Sequence, residues 1–501
     1  MDGGGDNHCN RKRNEPGDNS ERHVLFLDNC LPEGNRDRAR QQSQRACKQS
    51  DSTGCIGERV EQVYEVQSFH INQQNTHALD RLFLTEPRSP RDPDSSYNGR
   101  MMSSVPDEFY RIQKLPPYVF AVVNEMKARL RADQKDVVDF GMGNPDGPTP
   151  RPIVNKLIEA ARNPRNHRYS VSRGIPNLRQ EIVKRYKTKY NVDLDPDTEA
   201  ITSIGAKDAL AHLLFAIVGP GDAVVSPNPA YPIHQYGVIM AEGHACMLPM
   251  PNPAEFLNGL EHLYKTSTRK PKVILISFPH NPTTQCVDLD FFKEVVQMAA
   301  HHGSMIVHDF AYADICFDGY RAPSILQVEG AKELAVEIYS MSKSYNMAGW
   351  RVGFCLGNRK MISALARIKS YLDYGIFQPI QIASIIALRE CEEDTQKICS
   401  TYEKRRDVLV QGLTAAGWEV QPPKGSMFVW APIPEPFRKM GSLEFSKLLL
   451  EKSLVAVSPG IGFGPLGEGY VRFALIENNH RTRQAIRSIK HFLKNERPPA
   501  D

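Results

Sequence analysis

The sequence predicts an α/β protein in which a large domain, built on a mixed and mostly parallel sheet wrapped by helices, is joined to a smaller α+β domain. Three observations carry this. Two continuous apolar runs, Lys272–Phe278 and Met305–Phe310, end in polar turns, the pattern of strands buried on both faces. Between them a helix is expected from about Asp290, with Phe292, Val295, Val296 and Ala299 on one face. Beyond residue 375 shorter strands, Ser426–Trp430, Leu454–Val457 and Tyr470–Leu475, alternate with helical text.

The 501 residues, 41% hydrophobic, suffice for one large or two medium domains. A formal charge of +4, from 62 basic and 58 acidic residues, gives no reason to invoke nucleic acid. No apolar run reaches the roughly 18 residues of a membrane span. The 10 cysteines form no C-x-x-C pair, so free thiols in a reducing, cytoplasmic compartment are expected, with Cys286, Cys316 and Cys355 as small buried hydrophobes. Residues 1–100 are polar apart from Val24–Leu27 and are expected to be a disordered tail, or to precede a true start at Met101-Met102. The basic triplet Arg11-Lys12-Arg13 is read as solvated.

In chain order, the arm Arg111–Tyr118 carries two prolines and leads to a helix, Val119–Arg131, with Phe120, Val123 and Met126 inward. A short strand, Val137–Phe140, precedes Gly141–Asp146, where glycines permit close backbone approach. Tyr169 and Arg173 stand before a helix over Pro176–Tyr190. The turn Ile204-Gly205-Ala206-Lys207 enters a helix, Ala209–Val218, and a helix N-terminus of this kind is a ready anion site. A strand over Asp222–Ser226 runs into a proline-rich turn holding Tyr231. Helices follow over Lys360–Tyr374, Gln381–Arg389 and Thr401–Ala416, the last stopped by Gly417. Domains are expected at 101–145 (arm and part of the small domain), 146–374 (large domain) and 375–496 (small C-terminal domain).

The most specific stretch is Tyr339–Gly353, which sets Lys343 among Ser340, Ser342 and Ser344 and places Arg351 before Gly353. A lysine that attacks an aldehyde must lose its proton, and burial beside a cation lowers its pKa toward that state. The pattern Ser-x-Ser-Lys followed by Arg-x-Gly resembles the pyridoxal 5'-phosphate attachment motif of the class I aminotransferases, fold type I transferases. The resemblance covers about residues 109–495. It implies that Lys343 holds the cofactor and serves as general base and acid. The phosphate would be held by Gly205, Ala206, Lys207, Ser340, Ser342 and Arg351, with Tyr169 reaching the cofactor of a neighbouring subunit in a homodimer. Tyr231 would stack on the ring, Asp309 would pair with the ring nitrogen, and Asn281 and Tyr312 would donate to the phenolic oxygen. Gly143, Asn281 and Arg472 would meet the substrate, Arg472 at its α-carboxylate. His308 is read as a core residue.

The wider resemblance, at Leu115–Phe120, Ser342–Arg351, Ile368–Tyr371 and Phe473–Asn478, is to glutamate–pyruvate (alanine) aminotransferases. It implies ping-pong transfer from alanine to 2-oxoglutarate. Relatives that use aspartate, diaminopimelate, aromatic amino acids or methionine are the alternatives, and Arg173 is a candidate for a glutamate side-chain carboxylate. An enzyme of elimination or decarboxylation on the same fold is a rival. A cofactor-binding transcriptional regulator would need a folded basic domain before residue 109, for which the tail shows no helical periodicity.

Overall fold

The chain enters through a helix, Val119–Ala132, and a two-residue strand, β1 (Val138–Asp139). The structure is a computed structural model that describes residues 109–116 and 119–497. The expectations for residues 1–108, including a start at Met101-Met102, and for Pro117 and Tyr118 of the arm, fall outside the described residues.

The main sheet is built from β2 (Ala200–Ser203), β3 (Ala223–Asn228), β4 (His244–Pro249), β5 (Pro271–Ser277), β6 (Met305–Asp309), β7 (Ala335–Ser340) and β8 (Gly353–Gly357). Their order is β2-β8-β7-β6-β5-β3-β4. β8 runs antiparallel to both neighbours, while the other pairings are parallel. The sheet is thus mixed and mostly parallel, as expected. Its central strands are largely apolar because each face meets helices, and the buried polar exceptions, His308 of β6 and Glu337 of β7, pair with each other. Val273 and Leu275 of β5 join Leu210, Leu213 and Met361 on one side, and Ile274 and Ile276 join Phe256, Phe292 and Val295 on the other. The two-residue period of a strand persists, hidden beneath a hydropathy that is high on both faces.

The helix Leu289–His302 buries Phe292, Val295, Val296 and Ala299 together, and Asp288 caps it by accepting from Phe291 N at 3.0 Å. The expected helix Pro176–Tyr190 keeps its bounds. Others start earlier, the one expected from Gln381 at Gln378. Ala206–Ile217 begins immediately after Gly205, so Ala206 and Lys207 lie in its first turn. Glu392–Ala415 extends well upstream of Thr401, with Glu392, Glu393 and Asp394 in its first turn, where acids complement the helix dipole. Sequence patterning had not singled out β4, a half-exposed strand at the sheet edge, or the helices Pro253–Thr266 and Asn479–Asn495.

The C-terminal strands are β9 (Phe428–Pro432), β10 (Val455–Ala456), β11 (Ser458–Pro459) and β12 (Tyr470–Ala474). β11-β12-β9 form an antiparallel sheet, and β10 pairs in parallel with β1. The strand expected over Leu454–Val457 is the two-residue β10, and β11 follows it at Ser458–Pro459 in a different sheet. Trp418, Phe428, Phe445, Phe473 and Phe492 form the core beside them. No described helix is long and apolar enough to cross a membrane.

Candidate active site

Lys343 lies in a four-residue helical turn, Met341–Ser344, that follows β7 directly. Ser340 caps the turn by accepting from Ser342 N at 3.3 Å. The Lys343 amine donates to the carbonyl of Gly143 at 2.7 Å, which ties it to the loop after β1. Burial is the main cause that lowers its pKa from 10.5 to about 8, and the charges of Arg472 and Arg351 act in the same direction.

Lys343 opens onto a cavity of about 460 Å³ at the carboxyl ends of β5, β6 and β7. At one end stand Arg351, Ser340, Ser342, Ala206 and Lys207. Arg351 takes up a left-handed backbone (φ 57°, ψ 57°), a conformation that L-residues adopt at a cost of roughly 1 kcal/mol. Its guanidinium donates to Ala348 O at 3.1 Å and crosses Gly205, where an added Cβ would fall 2.3 Å from Nη2. Gly205 has φ +89° as well, so the backbone itself calls for glycine there, and a Cβ would also displace the Arg351 guanidinium. The helix that starts at Ala206 turns its unpaired first-turn N–H groups toward this end.

Opposite lies Asp309, the last residue of β6. Its Oδ1 accepts from Ala311 N at 3.2 Å, and Oδ2 lies 3.0 Å from His234 Nε2, which donates to the carboxylate. His234 was not a sequence candidate. It sits in the first turn of the helix Pro232–Met240, which Tyr231 precedes as N-cap, and its spacing after Tyr231 was the available signal. Tyr231 lines the cavity, with Lys207 Nζ 5.9 Å from its ring centre. Tyr312 is buried, and burial pushes its hydroxyl pKa far above 10.0.

The third side holds Asn281, Arg472, Gly143 and Phe428. Arg472 Nη1 donates to Asn281 Oδ1 at 2.6 Å. Its guanidinium lies between two aromatic faces, 3.8 Å from the centre of Phe428 and 4.5 Å from that of Phe463. Gly143 passes so close to Phe428 that an added Cβ would be 2.6 Å from the ring. Phe428 and Phe463 were also absent from the sequence candidates.

Two expected residues stand apart from this cavity. Tyr169 is 84% exposed, packed against Tyr374 at 4.6 Å between ring centres, and Arg173 donates to Asp197 O at 2.6 Å. His308 is a core residue, its Nδ1 paired with Glu337 Oε2 at 2.8 Å. The described cysteines are free, and burial raises the pKa of Cys286, Cys316 and Cys355, Cys286 to about 12. Asp208, His212 and Asp373 bring possible metal-ligand atoms together, but Lys369 already supplies a cation to both carboxylates.

These donors fit pyridoxal phosphate. Cations, hydroxyls and a helix N-terminus meet at the end suited to a phosphate, a carboxylate stands where a protonated ring nitrogen can be paired, and a poorly solvated amine lies between. The chain is 54% identical to the glutamate-pyruvate aminotransferase AlaC of Escherichia coli over 386 residues, covering 77% of this chain and 94% of that protein. It is 42% identical to an LL-diaminopimelate aminotransferase of Moorella thermoacetica, covering 77% of this chain and 98% of that protein. The substrate-bound structure of Bacillus subtilis BacF matches at 32% identity with a TM-score of 0.71, covering 79% of this chain and all of that one. The family model described as aminotransferase class I and II spans residues 135–489, so the fold, the lysine turn and these likenesses agree: the chain belongs to the class I and II aminotransferases and is a pyridoxal-phosphate-dependent aminotransferase.

Proposed function

We propose that the enzyme moves the amino group of alanine to 2-oxoglutarate, giving pyruvate and glutamate, or the reverse in alanine formation. The observation that carries this beyond the family is the 54% identity to a glutamate-pyruvate aminotransferase along most of the chain. A second reading, diaminopimelate as amino donor, has the support of relatives 41–42% identical that carry that name.

In this reading Arg351, Lys207, Ser340, Ser342 and the turn Gly205-Ala206 would hold the cofactor phosphate, Tyr231 would stack on the ring, and Asn281 and Tyr312 would donate to the phenolic oxygen. When bound, pyridoxal phosphate supplies an aldehyde that exchanges amines and a ring that draws electrons from the substrate Cα. Asp309, oriented by His234, keeps the ring nitrogen protonated; such a charge pair is worth on the order of 4 kcal/mol at 4 Å and an effective dielectric of 20. Arg472 binds the substrate α-carboxylate with its two-pronged guanidinium, held in plane by Phe428 and Phe463 and steadied by Asn281. Gly143, whose carbonyl holds the Lys343 amine, borders the same carboxylate. Lys343, largely neutral above about pH 8, accepts the proton from the substrate Cα and returns it on the other side of the exchange.

We place the active unit as a cytoplasmic homodimer in which Tyr169 reaches the partner's cofactor and Arg173 serves a glutamate side-chain carboxylate. The exposed aromatic group Tyr169, Tyr371, Tyr374 and Phe377 supports a covered face there. Within one subunit we divide the chain into a large domain, 146–374, and a small one made of the arm, 101–145, and residues 375–496.

The test is a half-reaction titration of the cofactor-loaded enzyme with alanine, glutamate, aspartate and LL-diaminopimelate in turn, followed by cofactor absorbance. Conversion by alanine and glutamate, reversed by pyruvate, is expected. Conversion by diaminopimelate but not alanine would replace the substrate assignment and leave the residue roles in place.

A further inference from the structure

Behind the lysine turn, on the side away from the cavity, lies a carboxylate that the sequence patterns do not mark. Asp314 follows Asp309 and Tyr312 in the segment after β6, and its side chain is 6% exposed. Arg185 Nη2, from the helix Pro176–Tyr190, lies 2.6 and 2.7 Å from its two oxygens, and Lys189 Nζ lies 2.9 Å from Oδ1. The hydroxyl of Tyr339 donates to Oδ2, as does Ser344 Oγ at 2.7 Å.

Tyr339 and Ser344 bracket Lys343 in the chain, the one in β7 and the other closing the turn Met341–Ser344. Tyr345 extends the link, since its buried hydroxyl accepts from Arg185 Nη1 at 3.2 Å. The turn is thus clamped from behind by Asp314 and Arg185 and from the front by the Lys343 bond to Gly143 O. A buried ion pair is a poor source of net stability, because desolvation consumes much of its attraction; what it does impose is direction. Burial works against the Asp314 carboxylate, but the charges of Arg185 and Lys189 hold its pKa far below the ordinary range. It therefore stays an acceptor across the working pH.

We propose that Asp314 is a positioning residue: through Ser344 and Tyr339 it sets the orientation of the turn Met341–Ser344, and with it how far the Lys343 amine is withdrawn from water. The inference rests on Lys343 being the lysine that takes up the cofactor. The charged and titratable groups concerned are Arg472 and Arg351 facing the amine, Lys207, Asp309, Tyr231 and Tyr312 lining the same cavity, and Arg185, Lys189, Glu392, Tyr190, Tyr339 and Tyr345 around Asp314. A neutral change at Ser344 alters none of these charges, so its effect reports orientation and hydration alone.

The experiment measures the rate at which apoenzyme takes up pyridoxal phosphate covalently, as a function of pH, since only the neutral amine reacts. For the unaltered protein the midpoint is expected at about pH 8. Ser344→Ala should move it upward by about one unit, as a loosened turn lets water reach the ammonium. Ser344→Thr, which keeps the hydroxyl, should restore it. Tyr339→Phe should shift it in the same direction, and both variants remain informative should Asp314→Asn fail to fold. A midpoint unchanged in Ser344→Ala and Tyr339→Phe, with only the melting temperature lowered, would reduce the Asp314 cluster to a fold-stabilising ion pair and overturn the proposal. Covalent uptake that survives in Lys343→Ala would instead show that the lysine assignment itself is wrong.

Discussion

Arg472 Nη1 and Asn281 Oδ1 meet at 2.6 Å, joining β12 of the C-terminal sheet to the turn after β5 of the main sheet. The two residues are 191 positions apart, and their contact fixes one prong of a guanidinium already held flat by Phe428 and Phe463. Arg472→Lys keeps the charge and loses the planar fork. Loss of one charged hydrogen bond, worth about 1.5–3 kcal/mol, should lower kcat/KM for every amino donor roughly 10–100-fold, measured in steady state with alanine and with glutamate.

Lys343 has its pKa lowered, so folding favours its neutral form. The sign follows from proton counting. Below about pH 8 the amine is charged in both folded and unfolded chains and its burial is a full penalty; as pH rises toward 10.5 the penalty disappears. Lys343→Met in the apoenzyme should therefore raise stability by about 1–3 kcal/mol at pH 7 and by little at pH 10, read from urea unfolding at the two pH values. An equal gain at both would show that the lysine is not depressed.

Asp309 and His234 form a buried pair whose members should differ in weight. Removing the negative charge with Asp309→Asn should lower kcat by about 100–1000-fold, since a charge interaction of a few kcal/mol is lost. His234→Leu keeps that charge and removes one donor. Its cost should be about tenfold, accompanied by a change in the cofactor absorbance spectrum of the loaded enzyme.

Gly205→Ala should act on the cofactor rather than on the substrate. The new Cβ would meet Arg351 Nη2 at 2.3 Å and force a side chain into φ +89°. A strain of about 1–3 kcal/mol at the phosphate end should weaken pyridoxal phosphate binding by roughly 10–100-fold, measured by equilibrium dialysis against apoenzyme. The KM for alanine of the saturated enzyme should change little.

Much of the large sheet was legible because its signals are local and strong. β5 and β6 are apolar on both faces, and Leu289–His302 repeats its apolar residues at the helical period. The lysine turn was legible for a different reason: Ser340, Ser342, Lys343 and Arg351 are neighbours in the chain, so their chemistry can be read as a word. β4 was not legible, because this edge strand is only half-buried along its length and both of its ends, His244 and Pro249, are exposed. The onset of the helix at Glu392 was concealed as well, its first turn being charged and its apolar spacing beginning only near Ile398.

By itself the sequence determined the α/β class, the turn that carries Lys343 and the residue types that surround it, since propensity, periodicity and short motifs act over a few residues. Tertiary structure alone decided which distant residues complete those motifs. His234 reaches Asp309, Phe463 covers Arg472, and Asp314 braces Ser344 because strands and helices separated by long stretches of chain pack together. A histidine or an aspartate has the same local pattern whether it faces water or a buried carboxylate. Only burial and a partner at hydrogen-bond distance distinguish the two, and both are properties of the folded chain.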